Sequence, residues 1–340
     1  LWWFKKKNKE IKITLAPLIH FYPNLSVATG KMSIFPLSNI SNSQTMFCNE
    51  NGYYSIYLSD RYGFNNPDNE WDSEEIEYLL VGDSFTHGAC VNRPDDIASV
   101  LRLLSNKSVL NLGYSGNGPL IEYATLKEYL IPKVKNILWI YYEGNDLEDL
   151  KNELKLKTLK RYLKDNNFKQ DLIFKQKEID KLVKTKIKKS IDIKYRVINF
   201  LFLSETRNFF ITFFKSKNKN EQIEEKNKLE ISSQFVDILK LTKDLVEKND
   251  SNLYFVFLPR VPEQEKPNDL VYNDTLYFLV KNKIKELNIP FIDFKKIMID
   301  EEPNQLKFFP LETIGGHYNV DTYKNIAEKI YNLIKIKNSN

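Results

Sequence analysis

The sequence contains few of the residues that build metal sites and redox motifs. Its 340 residues include two cysteines, three histidines and three methionines. Cys48 and Cys90 are far apart and do not form the closely spaced pairs of a zinc site or a Cys-x-x-Cys motif. We therefore expect two buried thiols and no metal centre, and the redox compartment stays open.

The chain also lacks a long hydrophobic run and a strong charge of one sign. No run of about 18 apolar residues occurs, so no segment of the given sequence is expected to span a bilayer. The net charge of +5 is weak for 340 residues, and no RNA-binding or zinc-finger signature accompanies it. These features argue against a nucleic-acid partner. Hydrophobic residues make up 42% of the chain, enough for a sizeable core.

The first residues have the composition of a membrane-interface segment. Trp2, Trp3 and Phe4 stand directly before the three lysines Lys5 to Lys7. Aromatic residues followed by lysines are typical of the end of a membrane span. We therefore expect an upstream anchor or signal, with the membrane surface as a partner. A membrane-anchored or extracytoplasmic location is favoured, and a cytoplasmic one stays open.

From residue 77 onward, apolar strands alternate with helical segments. Helices are predicted at about 95–104, 120–130, 232–248 and 273–287, with a last helix after residue 319. Continuous apolar strands separated by helices indicate a parallel sheet covered on both faces. The sequence therefore predicts a three-layer α/β/α fold with a central parallel five-stranded sheet. Its strands are expected at Glu77–Val81, Ser108–Leu112, Asn136–Tyr142, Leu253–Leu258 and Ile289–Asp293.

Two regions lie outside this alternation. Residues 1–75 are rich in turn-forming and aromatic residues, and we expect them to wrap the main domain at 76–340. Residues 150–230 are an insertion, because a crossover between parallel strands needs only about a dozen residues. The insertion is rich in lysine and then in phenylalanine. We expect a helical lid packed on the main domain, with an amphipathic, membrane- or partner-facing helix pair as the alternative.

A serine follows the first buried strand directly. The segment Gly82-Asp83-Ser84-x-x-x-Gly88 places the Ser84 hydroxyl at the carboxyl edge of the sheet, where open α/β folds bind their ligands. A serine becomes a nucleophile only when a base removes its proton and donors stabilise the developing oxyanion.

Three histidines are candidates for the general base. His20 lies in the irregular N-terminal region, and His87 lies one helical turn beyond Ser84, where alignment as a base is difficult. His317 lies in a glycine-flanked loop before the last helix and can return to the edge of the sheet that carries Ser84. We therefore predict His317 as the general base.

Three oxyanion donors follow three consecutive predicted strands. They are the backbone N–H of Ser84, the N–H of Gly116 and the side-chain amide of Asn145. Because the carboxyl ends of parallel strands meet at one edge, all three can converge there. Four aromatic residues near these segments can stack on a sugar or belong to the core, and the core is the commoner role. They are Tyr114, Tyr141, Tyr142 and Tyr318.

This ordered set resembles the SGNH (GDSL-like) hydrolases, whose four blocks carry Ser, Gly, Asn and His. The blocks are similar to residues 82–88, 111–116, 144–146 and 317–319, and the resemblance covers about 77–148 and 250–335. It implies a flavodoxin-like fold and a Ser84 nucleophile, with Asp83 and Asp146 in supporting roles. It implies no metal or organic cofactor.

One position departs from the family pattern. The family usually has an aspartate three residues before the histidine to orient the imidazole, and here that position is Ile314. Glu312 is the candidate substitute if the loop bends. Without it, a backbone carbonyl would hold the ring and leave a Ser–His dyad.

The resemblance and the residues together predict a serine esterase. We expect it to hydrolyse an ester of a small molecule or glycan, most specifically O-acetyl or O-acyl groups on a carbohydrate. An O-acyltransferase that uses the same acyl-enzyme, and a non-catalytic glycan-binding or assembly factor, are the alternatives. The sequence does not distinguish among them.

Overall fold

The computed structural model describes residues 14–15, 34–187, 231–261, 274–312 and 316–339. His20, Ile314 and the phenylalanine-rich part of the insertion lie outside these residues. Among the helices of the described ranges, none is both long and apolar enough to cross a bilayer.

A parallel sheet forms the centre of the molecule, as the sequence predicts. Its strand order is β5-β4-β6-β7-β8, and every neighbouring pair is parallel. The first strand of this sheet therefore has the second on one side and the third on the other, which is the flavodoxin-like order. The strands are β4 Ile76–Gly82, β5 Val109–Asn111, β6 Val134–Tyr142, β7 Asn252–Leu258 and β8 Phe291–Asp293.

Side chains of the sheet alternate between two hydrophobic cores. In β4, Leu79 and Val81 belong to one core, whereas Tyr78 and Leu80 belong to the other. Successive side chains of a strand point to opposite faces, so a strand that is apolar at every position must be covered on both sides. The three-layer α/β/α prediction is confirmed.

Helices cover both faces of the sheet. The five predicted helices all occur, with ends shifted by a few residues. The described residues contain four further helices, and two of these, at Lys157–Lys164 and 176–187, lie in the insertion. In chain order the helices are α1 Ser84–His87, α2 Ile97–Ser105, α3 Pro119–Tyr129, α4 Asp146–Glu153, α5 Lys157–Lys164, α6 176–187, α7 Ser233–Lys248, α8 Asp274–Glu286 and α9 Val320–Ser339.

A hairpin precedes the main domain and contacts it. Its strands, β2 Gln44–Met46 and β3 Ile56–Leu58, pair antiparallel, and β1 Thr14–Leu15 adds to β2 in parallel. The amide of Ile56 donates to Asn92 Oδ1 at 2.7 Å. The guanidinium of Arg93 donates to the Leu58 carbonyl at 2.9 Å. These bonds place the hairpin beside the loop that follows α1.

The two cysteines form a disulfide, so the prediction of two buried thiols is wrong. Cys48 follows β2 and Cys90 lies three residues after the end of α1. The hairpin brings their Cα atoms to 5.0 Å, a separation that a disulfide spans without backbone movement. No sequence spacing could reveal this pair, because a hairpin contact creates it.

The described part of the insertion packs into the main core. Gln170 donates from its side chain to the Phe35 carbonyl at 3.1 Å and accepts from the Phe35 amide at 2.7 Å. Asp180 accepts from the amide of Ser41 at 2.9 Å. These bonds join the insertion to the N-terminal region. Its buried side chains belong to the same core as the sheet and include Leu159, Tyr162, Phe168, Leu172 and Ile179.

Candidate active site

A short strand-to-helix turn presents Ser84. Strand β4 ends at Gly82, and α1 begins at Ser84 after the capping residue Asp83. Asp83 Oδ1 accepts from the amide of Phe85 at 2.9 Å, which satisfies one of the free N–H groups of the first turn. The carboxylate therefore fixes the turn that carries the serine.

The two glycines of the serine segment are required by close packing. A Cβ at Gly82 would lie 2.5 Å from the carbonyl oxygen of Ile140 on the neighbouring strand. Gly88 ends α1 with a left-handed φ of 79°, and a Cβ there would collide with Asp96. The spacing Gly-Asp-Ser-x-x-x-Gly is thus the spacing of one tight turn and one four-residue helix.

The structure brings Ser84 and His317 together. Nε2 of His317 lies 2.9 Å from Ser84 Oγ, within hydrogen-bond reach. The imidazole packs against the Phe85 ring, with centroids 5.1 Å apart. Ser84 is 7% exposed, so its hydroxyl lies at the edge of the protein interior. This contact is the geometry that proton transfer from a serine to a histidine requires.

The other imidazole nitrogen faces a carboxylate from the N-terminal hairpin. Both oxygens of Glu50 lie 3.2 Å from His317 Nδ1, and the backbone amide of His317 donates to Glu50 Oε2. Any side chain at Gly316 would collide with this carboxylate. Glu50 thus has the position of an orienting acid in a Ser–His–acid triad.

Glu312 does not have this role, so that assignment is corrected. Glu312 and its neighbour Leu311 are exposed, and both have left-handed φ values, 51° and 54°. The loop therefore turns its acid outward, and Glu50 contacts the imidazole instead. No sequence signal marks Glu50, because the family pattern places the acid only three residues before the histidine and Glu50 is 267 positions away.

The charge state of Glu50 suits this position. Partial burial acts to raise the pKa of Glu50, but hydrogen bonds from His317 and the charge of its imidazolium outweigh burial and hold the pKa below its usual value. Glu50 therefore stays ionised at neutral pH and stabilises the imidazolium that forms when His317 takes a proton.

Gly116 lies in a β-turn of the loop after β5. The amide of Asn117 donates to the Tyr114 carbonyl at 3.2 Å, and Gly116 occupies the third position of this turn with φ = 75°. A positive φ at that position favours glycine. The turn is anchored to α4, since Glu153 accepts from the amides of Gly118 at 2.6 Å and Leu120 at 2.9 Å.

The loop that leads to Gly116 packs directly on α1, the helix that begins at Ser84. The side chain of Asn111 donates to the Thr86 carbonyl at 2.8 Å. A Cβ at Gly113 would lie 2.6 Å from the amide nitrogen of His87. The loop after β5, which carries Gly113 and Gly116, is therefore in contact with α1, which carries Ser84.

Asn145 caps α4 at the end of β6. Its side-chain nitrogen donates to Asp149 Oδ2 at 2.8 Å, one helical turn along α4. Asn145 also lies beside Asp83, the residue before Ser84. Burial raises the pKa of Asp83 to about 6, and the Asn145 amide is among the groups that oppose this increase. An amide nitrogen carries two hydrogens, and the bond to Asp149 occupies one of them.

Buried carboxyl groups lie beneath the site. Asp146 and Glu122 are fully buried, and burial raises the pKa of each well above its usual value. Asp146 Oδ2 accepts from the Tyr142 amide at 2.9 Å, and Glu122 Oε2 accepts from Trp139 Nε1 at 2.6 Å. The remaining oxygen of each has no hydrogen-bond partner among the described residues. Asp146, the first residue of α4 and the neighbour of Asn145, thus fixes the end of β6.

His87 is part of the core. It is 1% exposed, and burial lowers its pKa to about 4. Its ring centroid lies 5.0 Å from the ring centroids of Phe47 and of Tyr57. Its Nδ1 lies 3.3 Å from the Gly113 carbonyl oxygen. His87 therefore stays neutral at ordinary pH and supports the loop that carries Gly116.

Three of the four aromatic residues near the site are core residues. Tyr114, Tyr141 and Tyr318 are buried. Tyr142 is half-buried, and its ring lies 4.0 Å from that of Phe85. Only Tyr142 of this set therefore retains exposed surface beside the serine helix.

Side chains with metal-ligand chemistry also meet at the site. Within the described residues, one group of His, Cys, Asp and Glu ligand atoms clusters within 4.8 Å, namely Cys48, Glu50, Cys90 and His317. Two of its four members form the disulfide and cannot act as thiolate ligands. The cluster therefore fits an acid–histidine pair beside a disulfide better than a metal site.

Comparisons with known proteins give similar folds at low sequence identity. No protein-family model and no curated protein matches the sequence. Among solved structures, the chain is similar to a protein placed in the G-D-S-L lipolytic family from Desulfitobacterium hafniense DCB-2. That match has 14% identity and a TM-score of 0.41 and covers 76% of this chain and 99% of the other.

Two further solved structures are similar to a comparable degree. A lipase/acylhydrolase from Enterococcus faecalis has 14% identity and a TM-score of 0.41, covering 77% of this chain and 96% of its own. A carbohydrate esterase family 2 enzyme with a carbohydrate-binding domain, from Corynascus thermopiles (Myceliophthora fergusii), has 10% identity and a TM-score of 0.40, covering 83% and 71%. The likeness is one of fold only.

Proposed function

We propose that this protein is a serine esterase with Ser84 as nucleophile, His317 as general acid–base and Glu50 as orienting acid. The observation that supports the proposal is the continuous chain of contacts from Ser84 Oγ to His317 Nε2 at 2.9 Å and from His317 Nδ1 to Glu50 at 3.2 Å. A nucleophile, a base and an orienting group within hydrogen-bond reach define this class of site by geometry.

The proposed reaction proceeds through an acyl-enzyme. Ser84 Oγ bonds to the ester carbonyl carbon while its proton passes to His317 Nε2. The carbonyl oxygen becomes an oxyanion near the amides of Ser84, Gly116 and Asn145. The C–O bond to the alcohol then breaks, and His317 returns the proton to the leaving oxygen. Water repeats the sequence and releases the acid.

We infer that the substrate is an O-acyl group on a carbohydrate. Asn145 and Asp149 lie near Asp83 at the serine turn, and Tyr142 offers a partly exposed ring beside Phe85. An aromatic ring among hydrogen-bonding groups suits a hydroxyl-rich alcohol. Acetate release from an acetylated oligosaccharide should exceed fatty-acid release from a triglyceride emulsion, and the reverse preference would refute the carbohydrate assignment.

Hydrolysis of p-nitrophenyl acetate tests the enzyme class. Wild type should turn over, and both Ser84→Ala and His317→Gln should reduce the rate to the uncatalysed background. A fluorophosphonate should label wild type at Ser84 and leave Ser84→Ala unlabelled. Equal rates and equal labelling in wild type and Ser84→Ala would favour the non-catalytic binding factor.

The transferase alternative uses the same acyl-enzyme with a sugar hydroxyl in place of water. Free acetate and p-nitrophenol should form in equal amounts for a hydrolase, whether or not a sugar acceptor is present. A deficit of acetate with the acceptor present, matched by acetylated sugar, would identify a transferase.

A further inference from the structure

The orienting acid lies on an element outside the catalytic sheet. Glu50 is at the tip of the hairpin formed by β2 and β3. The tip is closed by a bond from the Gly52 amide to the Asn49 carbonyl at 3.2 Å and by one from the Ser55 amide to the Cys48 carbonyl at 2.7 Å. The tip therefore has local order, but its position relative to His317 depends on contacts with the main domain.

The disulfide makes the covalent part of that contact. Cys48 is two residues before Glu50, and Cys90 is six residues after Ser84, so the bond joins the acid-bearing loop to the serine-bearing turn. Since the chain has only two cysteines, this is its single disulfide. Beside it, the Asn51 side chain donates to the Cys90 carbonyl at 3.1 Å.

The disulfide also touches the imidazole. Cys90 Sγ lies 3.6 Å from His317 Nδ1, the nitrogen that faces Glu50. Cys90 is fully buried, whereas Cys48 is half-buried. The Cys90 sulfur and the Glu50 carboxylate therefore both lie at Nδ1 of His317, on the side of the ring away from Ser84.

We propose that the Cys48–Cys90 disulfide is the positioning element for Glu50, so that activity depends on the thiol–disulfide state of this pair. Glu50 is one-third exposed, and a partly exposed ion pair contributes little by itself to holding a loop in place. Without the disulfide, the hairpin tip regains conformational freedom, which the Glu50–His317 pair and the bond from Asn51 to the Cys90 carbonyl must oppose. The imidazole then loses its fixed tautomer and orientation.

The chemical step is reduction by a dithiol. A thiolate of the reductant attacks one sulfur of the Cys48–Cys90 bond and forms a mixed disulfide, while that bond breaks and the other protein sulfur leaves as a thiolate and takes a proton. The second thiol of the reductant displaces the protein sulfur, which takes a proton. Two electrons pass to the protein, which ends with two thiols, and the reductant ends as a cyclic disulfide.

The inference rests on the proposed function for its kinetic test, which compares four states of the full-length protein. Wild type and Glu50→Gln are assayed with p-nitrophenyl acetate before and after dithiothreitol treatment, with labelling of two thiols as proof of reduction. Reduction should lower kcat of wild type roughly 10- to 100-fold, the scale of a displacement of about 1 Å at a catalytic group. Oxidised Glu50→Gln should already be slow, and its reduction should change kcat by less than about twofold, because the two losses share one cause.

If reduction lowers activity only by destabilising the whole protein, the expected result is different. Reduction would then lower the rate of wild type and of Glu50→Gln by the same factor, and this outcome would overturn the proposal. A Cys48→Ala/Cys90→Ala double variant should behave like reduced wild type and should not respond to dithiothreitol. A double variant with the activity of oxidised wild type would also overturn it.

A second measurement does not depend on turnover. ¹⁵N spectra of the imidazole groups report which nitrogen carries the proton, and loss of the signal in His317→Gln assigns His317. The oxidised protein should show a single tautomer with the proton on Nδ1, and the reduced protein a mixture. An unchanged tautomer after reduction would refute the proposal even if the protein proved not to be an esterase. Absent turnover with a redox-dependent tautomer would refute only the proposed function.

Discussion

The carboxylate of Glu50 lies 3.2 Å from Nδ1 of His317, although the two residues are 267 positions apart in the sequence. The acid comes from the N-terminal hairpin, whereas the family resemblance places it three residues before the histidine, where this chain has Ile314. The role of an orienting acid is defined by contact with the imidazole, so any chain segment that reaches Nδ1 can supply it.

Replacing Glu50 tests this role. Glu50→Gln should lower kcat by on the order of 100-fold or more with little change in KM, because the carboxylate orients the imidazole and stabilises the imidazolium formed in the transition state. Steady-state kinetics with p-nitrophenyl acetate measure both constants. Glu312→Gln is the matched control and should keep wild-type kinetics. A large loss in Glu312→Gln with none in Glu50→Gln would restore the assignment made from the sequence.

Asn145 and Asp149 should act as one unit. Asn145→Ala should lower kcat by about 100- to 1000-fold as an oxyanion donor is lost. Asp149→Ala removes the acceptor that orients this amide at 2.8 Å and should cost a smaller factor, about tenfold. The double variant should resemble Asn145→Ala, because Asp149 acts only through the amide. Strictly multiplicative losses would argue against that coupling, and the exposed neighbour Glu148→Ala serves as the control.

Substitution of two glycines with the same φ distinguishes backbone strain from steric collision. Gly52 and Gly88 both have φ = 79°, but a Cβ at Gly52 meets open space, whereas one at Gly88 meets Asp96. Gly52→Ala should lower the free energy of unfolding by about 1–2 kcal/mol through left-handed strain alone. Gly88→Ala should lower it further, because Asp96 or α1 must move. Urea titrations give both values, and equal losses would show that the site of the collision relaxes freely.

The buried Glu122 should make stability fall as pH rises. Burial raises its pKa well above 4.5, so between pH 4.5 and that raised pKa the folded protein keeps a proton that the unfolded chain releases. The folded state then binds more protons, and the free energy of unfolding decreases by up to about 1.4 kcal/mol per pH unit from this group. Above the ordinary pKa of histidine, His87 is neutral in both states and does not oppose the trend.

Glu122→Gln should remove that contribution. The amide oxygen can still accept from Trp139 Nε1, which lies 2.6 Å from the present carboxylate oxygen. Urea titrations between pH 7 and 8.5 should show a shallower decline in the variant than in wild type, whereas the exposed Glu148→Gln should leave the slope unchanged. Parallel slopes in Glu122→Gln and wild type would mean that Glu122 is ionised in the folded state.

The disulfide predicts the compartment in which the protein matures. Disulfides form and persist in oxidising environments, so protein secreted from cells should contain no thiol that reacts with maleimide under denaturing conditions. Protein made in a reducing cytosol should contain two. Two reactive thiols in the secreted form would contradict the bond between Cys48 and Cys90.

The sequence determined the parts of the molecule that depend on local pattern. Apolar strands separated by helical periodicity gave the parallel sheet, since such strands can be buried only between two layers of helices. The segment from Gly82 to Gly88 predicted the serine turn. Its two glycines are needed because a Cβ would clash with neighbouring backbone at Gly82 and with Asp96 at Gly88. In both cases the signal lies within short stretches of chain, where residue type and spacing are direct evidence.

Tertiary structure alone decided which acid meets the histidine and whether the two cysteines bond to each other. Both depend on where a hairpin docks, and the contacts that dock it, such as Ile56 with Asn92 and Asn51 with Cys90, join residues more than 30 positions apart. Residue spacing carries no signal for such contacts, because the chain between them can follow many paths. For the same reason Glu312, near His317 in sequence, faces solvent, while Glu50, remote in sequence, lies at Nδ1.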